Sequence, residues 1–402
     1  VLSALLILHG YLWWRLVRST TRRGRVRRWL TLGLLVLAAL PVLAVFLDGD
    51  GAGAVAADWV GFTWLGVAFY TFLTLLVLEP VRLLLRPWAR SRRAEVVGAP
   101  VAVLPSGAAP EREAVQPEHE VIDPSRRLFV ARGLALTAGV VALGTAGTGA
   151  HLANSAPVVR RVPVTLAGLD PALDGLRIVT FSDGHLSTTY GGRRFERLVE
   201  IVNAQRPDVV AIVGDLVDGE VADLRDDVAP LADLVSDQGV YFVTGNHEYF
   251  VDTTAWLRHL PTLGVQVLRN ERVAIRRGGA SFDLAGIDDR TADRSGLPGH
   301  GADLDAALDG RDDATPVVLL AHQPVMVEQA RAAGVDLQVS GHTHGGQLWP
   351  FDYAIRLDQP AVQGRSRVGD TQLYVTPGAG FWGPPMRIGA RPEVSVIELR
   401  AP

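Results

Sequence analysis

Three apolar runs of nearly bilayer-spanning length crowd the first eighty residues of the chain: Val1 to Val17, Trp29 to Leu47 and Trp59 to Leu78. A hydrocarbon core of ~30 Å takes ~20 apolar residues in a helix, so these runs read as membrane helices. Trp13, Trp14, Trp29, Trp59 and Trp64 stand near their ends, where indole rings favour the membrane interface. A fourth run, Gly133 to Ala150, is rich in Gly, Ala and Thr and has a weaker apolar drive. None of the three strong runs contains Asp or Glu, which argues against a transport site within them.

Charge gives these runs a direction. Of the 402 residues, positions 1–150 carry 16 basic and 10 acidic side chains and positions 151–402 carry 23 and 33, so two environments are being served. Arg18, Arg22, Arg23, Arg25, Arg27 and Arg28 follow the first run, whereas Asp48, Asp50 and Asp58 occupy the next loop. Because basic loops stay in the cytoplasm, the first loop is expected inside and the second outside. Arg82, Arg86, Arg90, Arg92, Arg93, Arg126 and Arg127 return the bias to the inside, and a fourth crossing places the remainder on the extracytoplasmic side. The expected layout is therefore a multi-pass cell-membrane protein. Transmembrane helices fill 1–96 (about 1–17, 29–47 and 59–78), a Pro-, Gly- and Glu-rich cytoplasmic linker fills 97–127, and a further segment covers 128–150. That segment has two readings. Ser125-Arg126-Arg127-Leu128-Phe129-Val130 has the form of a twin-arginine export signal, or the two arginines simply flank a fourth membrane helix.

Absent residue types exclude whole chemistries. With no Cys there is no disulfide framework, thiolate nucleophile or thiolate-bound metal. All 39 basic residues are Arg, which excludes a P-loop lysine and a Schiff-base lysine. The acidic C-terminal part also offers no general surface for nucleic acid, so no nucleic-acid partner is expected.

From Val158 onward short apolar runs alternate with helical stretches, the pattern of a layered α/β domain, here 158–402. Expected strands at 177–181, 209–213, 240–244, 317–321 and 337–340 each end in a polar cluster. In order these are Ser182-Asp183-Gly184-His185, Gly214-Asp215-Leu216-Val217-Asp218-Gly219, Gly245-Asn246-His247-Glu248, His322-Gln323-Pro324 and Gly341-His342-Thr343-His344-Gly345-Gly346. Open α/β sheets bind ligands at the carboxyl ends of their strands, so the five clusters should converge. Each alone is a weak signal, since a lone Asp or His in a loop is most often a turn residue. Order, spacing and strand context together are much stronger.

The blocks Asp-x-His, Gly-Asp, Gly-Asn-His-Glu, His and Gly-His-x-His resemble those of the calcineurin-like metallophosphoesterase superfamily. Leu284 to Arg290 and the tail from Tyr374 to Glu398, with Gly378-Ala-Gly-Phe-Trp-Gly-Pro-Pro-Met-Arg-Ile-Gly389, resemble its membrane-associated YkuE/YaeI-like bacterial phosphodiesterase branch. The resemblance implies an α/β fold, a β-sandwich flanked by helices in four layers (α/β/β/α), here preceded by a helical transmembrane region. It also implies two divalent metal ions, Mn, Fe or Zn. Asp183, His185, Asp215 and His344 would hold one, and Asp215, Asn246, His322 and His342 the other, with Asp215 bridging. Oxygen and imidazole donors suit such ions, and seven ligating side chains are too many for one first-row ion. Two cations sharing a water would activate it for in-line attack at phosphorus. His247 would protonate the leaving oxygen, and Asp218 would orient His247 or else merely cap a turn.

The expected activity is metal-dependent hydrolysis of a phosphate ester, a phosphodiester or pyrophosphate ahead of a monoester. Trp349, Phe351, Phe381 and Trp382 form either an apolar rim for a lipid-linked or cell-envelope carrier substrate or aromatic plugs under long loops. A different class of function is a membrane-anchored sensor or scaffold whose metal domain binds a phosphorylated ligand without cleaving it. Asp288 and Asp289 read as a strand-ending turn.

Overall fold

Pro124 opens the longest helical stretch adjoining the α/β domain, as expected of a residue with no N–H to leave unsatisfied in a first helical turn. The computed structural model describes residues 2–46, 52–89, 124–187 and 190–402, so Asp48, Asp50 and most of the expected linker lie outside the described residues. Two compact units contain residues 1–39 with 67–144, and residues 40–66 with 145–402. The N-terminal helices are α1 (Leu2–Leu12), α2 (Arg25–Phe46), α3 (Ala52–Leu84), α4 (Arg86–Ala89) and α5 (Pro124–Ala153). Helix α1 runs on into a wider π-type turn at Trp13–Arg18. Among the described residues three helices are long and apolar enough to cross a membrane: Arg25–Leu43, Val55–Leu84 and Arg126–Ala153. The fourth apolar run thus lies inside a helix of 30 residues and is no weaker a candidate than α2.

The α/β domain is a sandwich of two six-stranded sheets. Its strands are β1 (Val158–Thr165), β2 (Arg177–Phe181), β3 (Val209–Val213), β4 (Val240–Val243), β5 (Val265–Val267), β6 (Glu271–Arg277), β7 (Ala280–Gly286), β8 (Val317–Leu320), β9 (Leu337–Ser340), β10 (Gly364–Val368), β11 (Thr371–Val375) and β12 (Glu393–Arg400). One sheet runs β1-β12-β2-β3-β4-β5 and the other β10-β11-β9-β8-β7-β6. Strands β2 to β5 are mutually parallel, as are β7, β8, β9 and β11, so the loops after β2, β3, β4, β8 and β9 leave their sheets at carboxyl ends.

Period-two alternation divides the core into layers. Ile178, Val209, Ala211, Val213 and Val243 face Leu284, Val318, Leu320 and Val339 between the sheets. Val179, Phe181, Val210, Ile212 and Phe242 point the other way, onto α6 (Arg193–Ala204), α7 (Val221–Val228) and α8 (Thr253–His259). Val317 and Leu319 meet α9 (Leu304–Leu308) and α10 (Val327–Ala332) on the far face. The result is the four-layer α/β/β/α arrangement expected from the sequence. One helix differs from expectation. The pattern predicts a helix over 222–235, whereas α7 stops at Val228 and a 3-10 turn follows at Ala229–Asp233, because Pro230 cannot donate to an α-helical ladder.

Trp256 of α8 ties the helical layer to the site. It is fully buried in the cluster beneath β3 and β4, and its Nε1–H donates to the carbonyl of Gly219, next to Asp218 (2.9 Å). Trp256→Ala is expected to cost about 3–5 kcal/mol, and Trp256→Phe, which removes mainly the hydrogen bond, about 1–2 kcal/mol. Thermal unfolding of the detergent-solubilised chain measures both, and a Trp256→Phe variant as stable as the wild type would mean the indole N–H contributes nothing.

Candidate metal centre

The five strand-end loops reach one place, and three of them, those after β2, β3 and β9, do so in a backbone conformation that side chains normally avoid. Asp183, His185, Asp215, His342 and His344 all have φ between 45° and 71°. Non-glycine residues in this region cost ~1–3 kcal/mol each and persist only where surrounding structure holds them. The glycines beside them make room. Gly214 has φ 74°, and a Cβ there would come within 2.6 Å of His322 Nδ1; one on Gly245 would run into the Asp215 carboxylate.

Two groups of donors result. In the first, the inward-facing atoms of Asp183, His185 and His344 lie within 4.8 Å of one another, with the two histidine Nε2 atoms 3.0 Å apart and His344 Nε2 3.4 Å from Asp183 Oδ1. In the second, Asp215, His322 and His342 converge in the same way, and His322 Nε2 is 3.0 Å from Asp215 Oδ2. Asp215 lies between the groups, because its Oδ2 is also 3.8 Å from His185 Nε2. Asn246 stands in the loop after β4, next to His247, whose backbone N–H donates to Asp215 Oδ1 at 2.8 Å.

The surrounding hydrogen bonds fix which nitrogens face inward. His322 Nδ1 lies 2.8 Å from the Val213 carbonyl oxygen, which only accepts, so Nδ1 carries a proton and Nε2 is the nitrogen that faces Asp215. His185 Nδ1 is likewise held by Asp218 Oδ1 at 2.8 Å. Among the described residues, Asn246 Oδ1 and His342 Nδ1 are buried without a hydrogen-bond partner, and His322 Nε2 meets only the Asp215 carboxylate. A buried orphan of this kind costs ~1–3 kcal/mol, and the convergence of His342 and His322 on the Asp215 carboxylate fits a divalent cation. In the first group the two histidines satisfy each other, so the fit to a cation rests on the second group.

Electrostatics agree with ligand chemistry. Burial, reinforced by the charge of His322, pushes His342 down to about 3 and keeps its lone pair available. Burial likewise drives His344 well below the ordinary histidine range, with His185 and Arg387 adding to it. For Asp215, burial favours the neutral acid, but the facing histidines, led by His322, outweigh it and hold the group ionised.

His247 and Asp218 lie beside this cluster. Asp218 Oδ1 bridges His185 Nδ1 (2.8 Å) and His247 Nδ1 (2.7 Å). Burial opposes charge on His247, yet Asp215 and Asp218 lift it to about 9. Burial opposes charge on Asp218 too, and the two histidines bring it down to about 2. The turn-capping alternative for Asp218 therefore does not describe its carboxylate, which is spent on two imidazoles. Trp382 and Phe250 set their ring edges or faces against His247 at centroid distances of 5.5 and 5.0 Å and remain 57% and 72% exposed. Trp349 and Phe351 are also exposed, whereas Phe381 is only 3% exposed and packs on Tyr190, so it belongs to the core and not to a rim.

Two contributors were not assigned a role from the sequence. Glu248 is buried and accepts backbone N–H groups from Gly245 (2.6 Å), Leu216 (2.8 Å) and Asp215 (3.0 Å), strapping the loop after β3 to the loop after β4. Burial and Asp215 push its acid up to about 7, while these donors favour its ionised form. Its signal was the last position of Gly-Asn-His-Glu. Arg387, also buried, donates to the carbonyls of Gly380 (2.7 Å), Pro377 (2.8 Å) and His344 (3.2 Å), and nothing in its Gly- and Pro-rich stretch marked it. Asp288 and Asp289 are structural: the first pairs with Arg269 (2.7 Å) and the second accepts from Gln323 (2.9 Å).

Comparison with known proteins places this geometry. The calcineurin-like phosphoesterase profile matches residues 176–346. A Bos taurus transmembrane protein with metallophosphoesterase domain is 41% identical over 292 residues, covering 70% of this chain and 65% of that protein. An uncharacterized metallophosphoesterase of Helicobacter pylori strain J99 is 34% identical over 278 residues, covering 69% and 73%. The Bacillus subtilis metallophosphoesterase YkuE is 30% identical over 236 residues, covering 57% and 80%. The chain thus spans less than two thirds of the length of the bovine relative. With its sandwich fold and its strand-end cluster of Asp, His and Asn, the chain belongs to the calcineurin-like metallophosphoesterase family.

Proposed function

We propose that this membrane-anchored metallophosphoesterase holds two divalent cations and hydrolyses a phosphodiester or pyrophosphate carried by a lipid or cell-envelope carrier, on the extracytoplasmic side. The observation that carries the reading is the buried convergence of Asp215, His322 and His342, with His342 Nδ1 left without a hydrogen-bond partner. Asp183, His185, Asp215 and His344 would hold one ion, and Asp215, Asn246, His322 and His342 the second. Bound there, Mn, Fe or Zn would polarise a phosphoryl oxygen and acidify a water.

The chain's own residues supply the rest. Asp218 holds His247 by Nδ1, which fixes the ring and leaves Nε2 as the nitrogen that can serve substrate. With its affinity for a proton raised to about 9, the ring enters the reaction protonated at neutral pH. As water adds to phosphorus and the opposite P–O bond breaks, the Nε2 proton passes to the departing oxygen. A domain that only sensed a phosphorylated ligand would have no use for this charged, oriented acid, which favours hydrolysis over a scaffold.

Lipid linkage is supported by the position of the site's rim. Gly66 of α3 and Gly149 of α5 both close on Met386, since a Cβ on Gly149 would come within 3.0 Å of Met386 Cβ and one on Gly66 would strike its sulfur. The Gly149 carbonyl also accepts from the Arg387 N–H at 2.9 Å. The loop bearing Trp382 is therefore seated on parts of two helices able to cross a membrane. The 30-residue span Val55–Leu84 exceeds the ~20 residues a bilayer needs, which leaves turns of α3 free to project beyond it. This seating of α5 also favours a retained membrane helix over a cleaved twin-arginine signal.

His247→Ala is expected to lower turnover of an aryl phosphodiester with Mn by about 10²–10⁴-fold while metal content stays unchanged. Wild-type protein with no metal-dependent turnover of diester or monoester would overturn the enzyme reading. Asp215→Asn should reduce both ions per chain and Asn246→Ala only one; unchanged stoichiometry in both variants would contradict the ligand assignment. For topology, a reporter fused at Pro402 should be active only outside the cytoplasm.

A further inference from the structure

The helical unit holds a polar site of its own. A cavity of ≈ 150 Å³ is lined by Arg15, Arg82, Arg86 and Arg127 and by one acid, Glu79. Leu78 and Leu134 complete an apolar wall. Glu79 is already engaged. It takes the Tyr11 hydroxyl at 2.7 Å and Arg82 Nε at 2.7 Å, and it pairs with Arg15. Arg15 is 9% exposed, and its Nε is buried with no partner among the described residues. Arg86 and Arg127 have no acidic partner among the described residues either. Four cations against one carboxylate leave an excess of positive charge in a cavity with leucine walls.

The position of the cavity selects its occupant. Arg82 and Arg86 stand at the end of the span Val55–Leu84, and Arg127 stands at the start of the span Arg126–Ala153. These are the levels at which a spanning helix meets lipid headgroups, and basic pockets between membrane helices bind anionic headgroups. We infer that this cavity binds the phosphate of an anionic membrane lipid, with Arg15, Arg86 and Arg127 as its donors and the leucines against the start of the acyl chains. The inference rests on the helices lying in a membrane and is independent of hydrolysis.

The full chain, purified in mild detergent and exchanged into bilayer discs of phosphatidylcholine with phosphatidylglycerol, gives the test by native mass spectrometry of retained lipid. Phosphatidylglycerol should be retained over phosphatidylcholine by about tenfold or more, and Arg86→Gln with Arg127→Gln should abolish most of that preference. Both side chains are exposed, so the double variant should keep the wild-type melting temperature. Arg23→Gln with Arg25→Gln, a change of equal charge away from the cavity, should leave the preference intact. Equal retention of the two lipids, an unaffected Arg86/Arg127 variant, or equal losses in both double variants would overturn the inference. So would displacement of the lipid by millimolar inorganic phosphate, which would mark a site for free anions.

Discussion

Asp215 is a carboxylate buried to 2% exposure at the end of β3, and much of the domain is arranged so that it can stay ionised there. Its Oδ1 accepts the His247 N–H at 2.8 Å, and its Oδ2 faces His185 and His322. Its backbone N–H is taken by Glu248, and its left-handed φ of 51° turns the side chain out of the strand direction. An isolated ion in such surroundings would neutralise instead of remaining charged. The site therefore accepts a sustained electrostatic demand, concentrated on one group shared between two sets of donors. Cation binding is the natural answer to that demand, because it also gives a partner to the buried His342, which converges on the same carboxylate.

The same logic explains why the site sits where the two sheets end. Parallel strands deliver loops at their carboxyl ends, and β2, β3, β4, β8 and β9 lie at the centres of their sheets, flanked on both sides. Rigid neighbours hold the five left-handed residues against their cost. Edge strands would not: β10 and β6 expose arginines along their length and serve as borders, with no ligand after either.

Contiguous motifs made the site legible in the sequence. Asp183 with His185, Asn246 with His247 and His342 with His344 each lie within three residues of one another, so the chemistry could be read before the fold was known. What could not be read depends on distant pairing. β1 and β12 align Val158 with Glu393 across most of the domain, and no local pattern announces that register. Strands β6 and β10, spelled Glu-Arg-Val-Ala-Ile-Arg-Arg and Gly-Arg-Ser-Arg-Val, lack apolar runs because each is a sheet border. Neighbouring aromatics were equally opaque. Phe381 enters the core while Trp382 stays outside, and a Gly- and Pro-rich loop gives no periodicity to separate them. Glu248 was visible as a motif position, but its task of clamping two loops by their N–H groups appears only when β3 and β4 are side by side.

Arg387 shows what the complete absence of lysine means in this protein. Its guanidinium is fully buried and is met by three carbonyl oxygens, those of Gly380, Pro377 and His344, with no carboxylate in contact. Burial pulls it down only to about 10, so it stays charged at physiological pH. An ammonium has a single nitrogen on a flexible stem and loses its proton readily when desolvated, whereas the planar fork presents five N–H donors in fixed directions. Held this way, Arg387 joins the backbone of His344 to the loop that carries Trp382, and its own N–H reaches the Gly149 carbonyl of α5. One side chain and its backbone thus connect a candidate ligand, the loop that bears Trp382 and a helix long and apolar enough to cross a membrane. A lysine at this position could satisfy one or two of those carbonyls at best, and the remainder would be buried without partners.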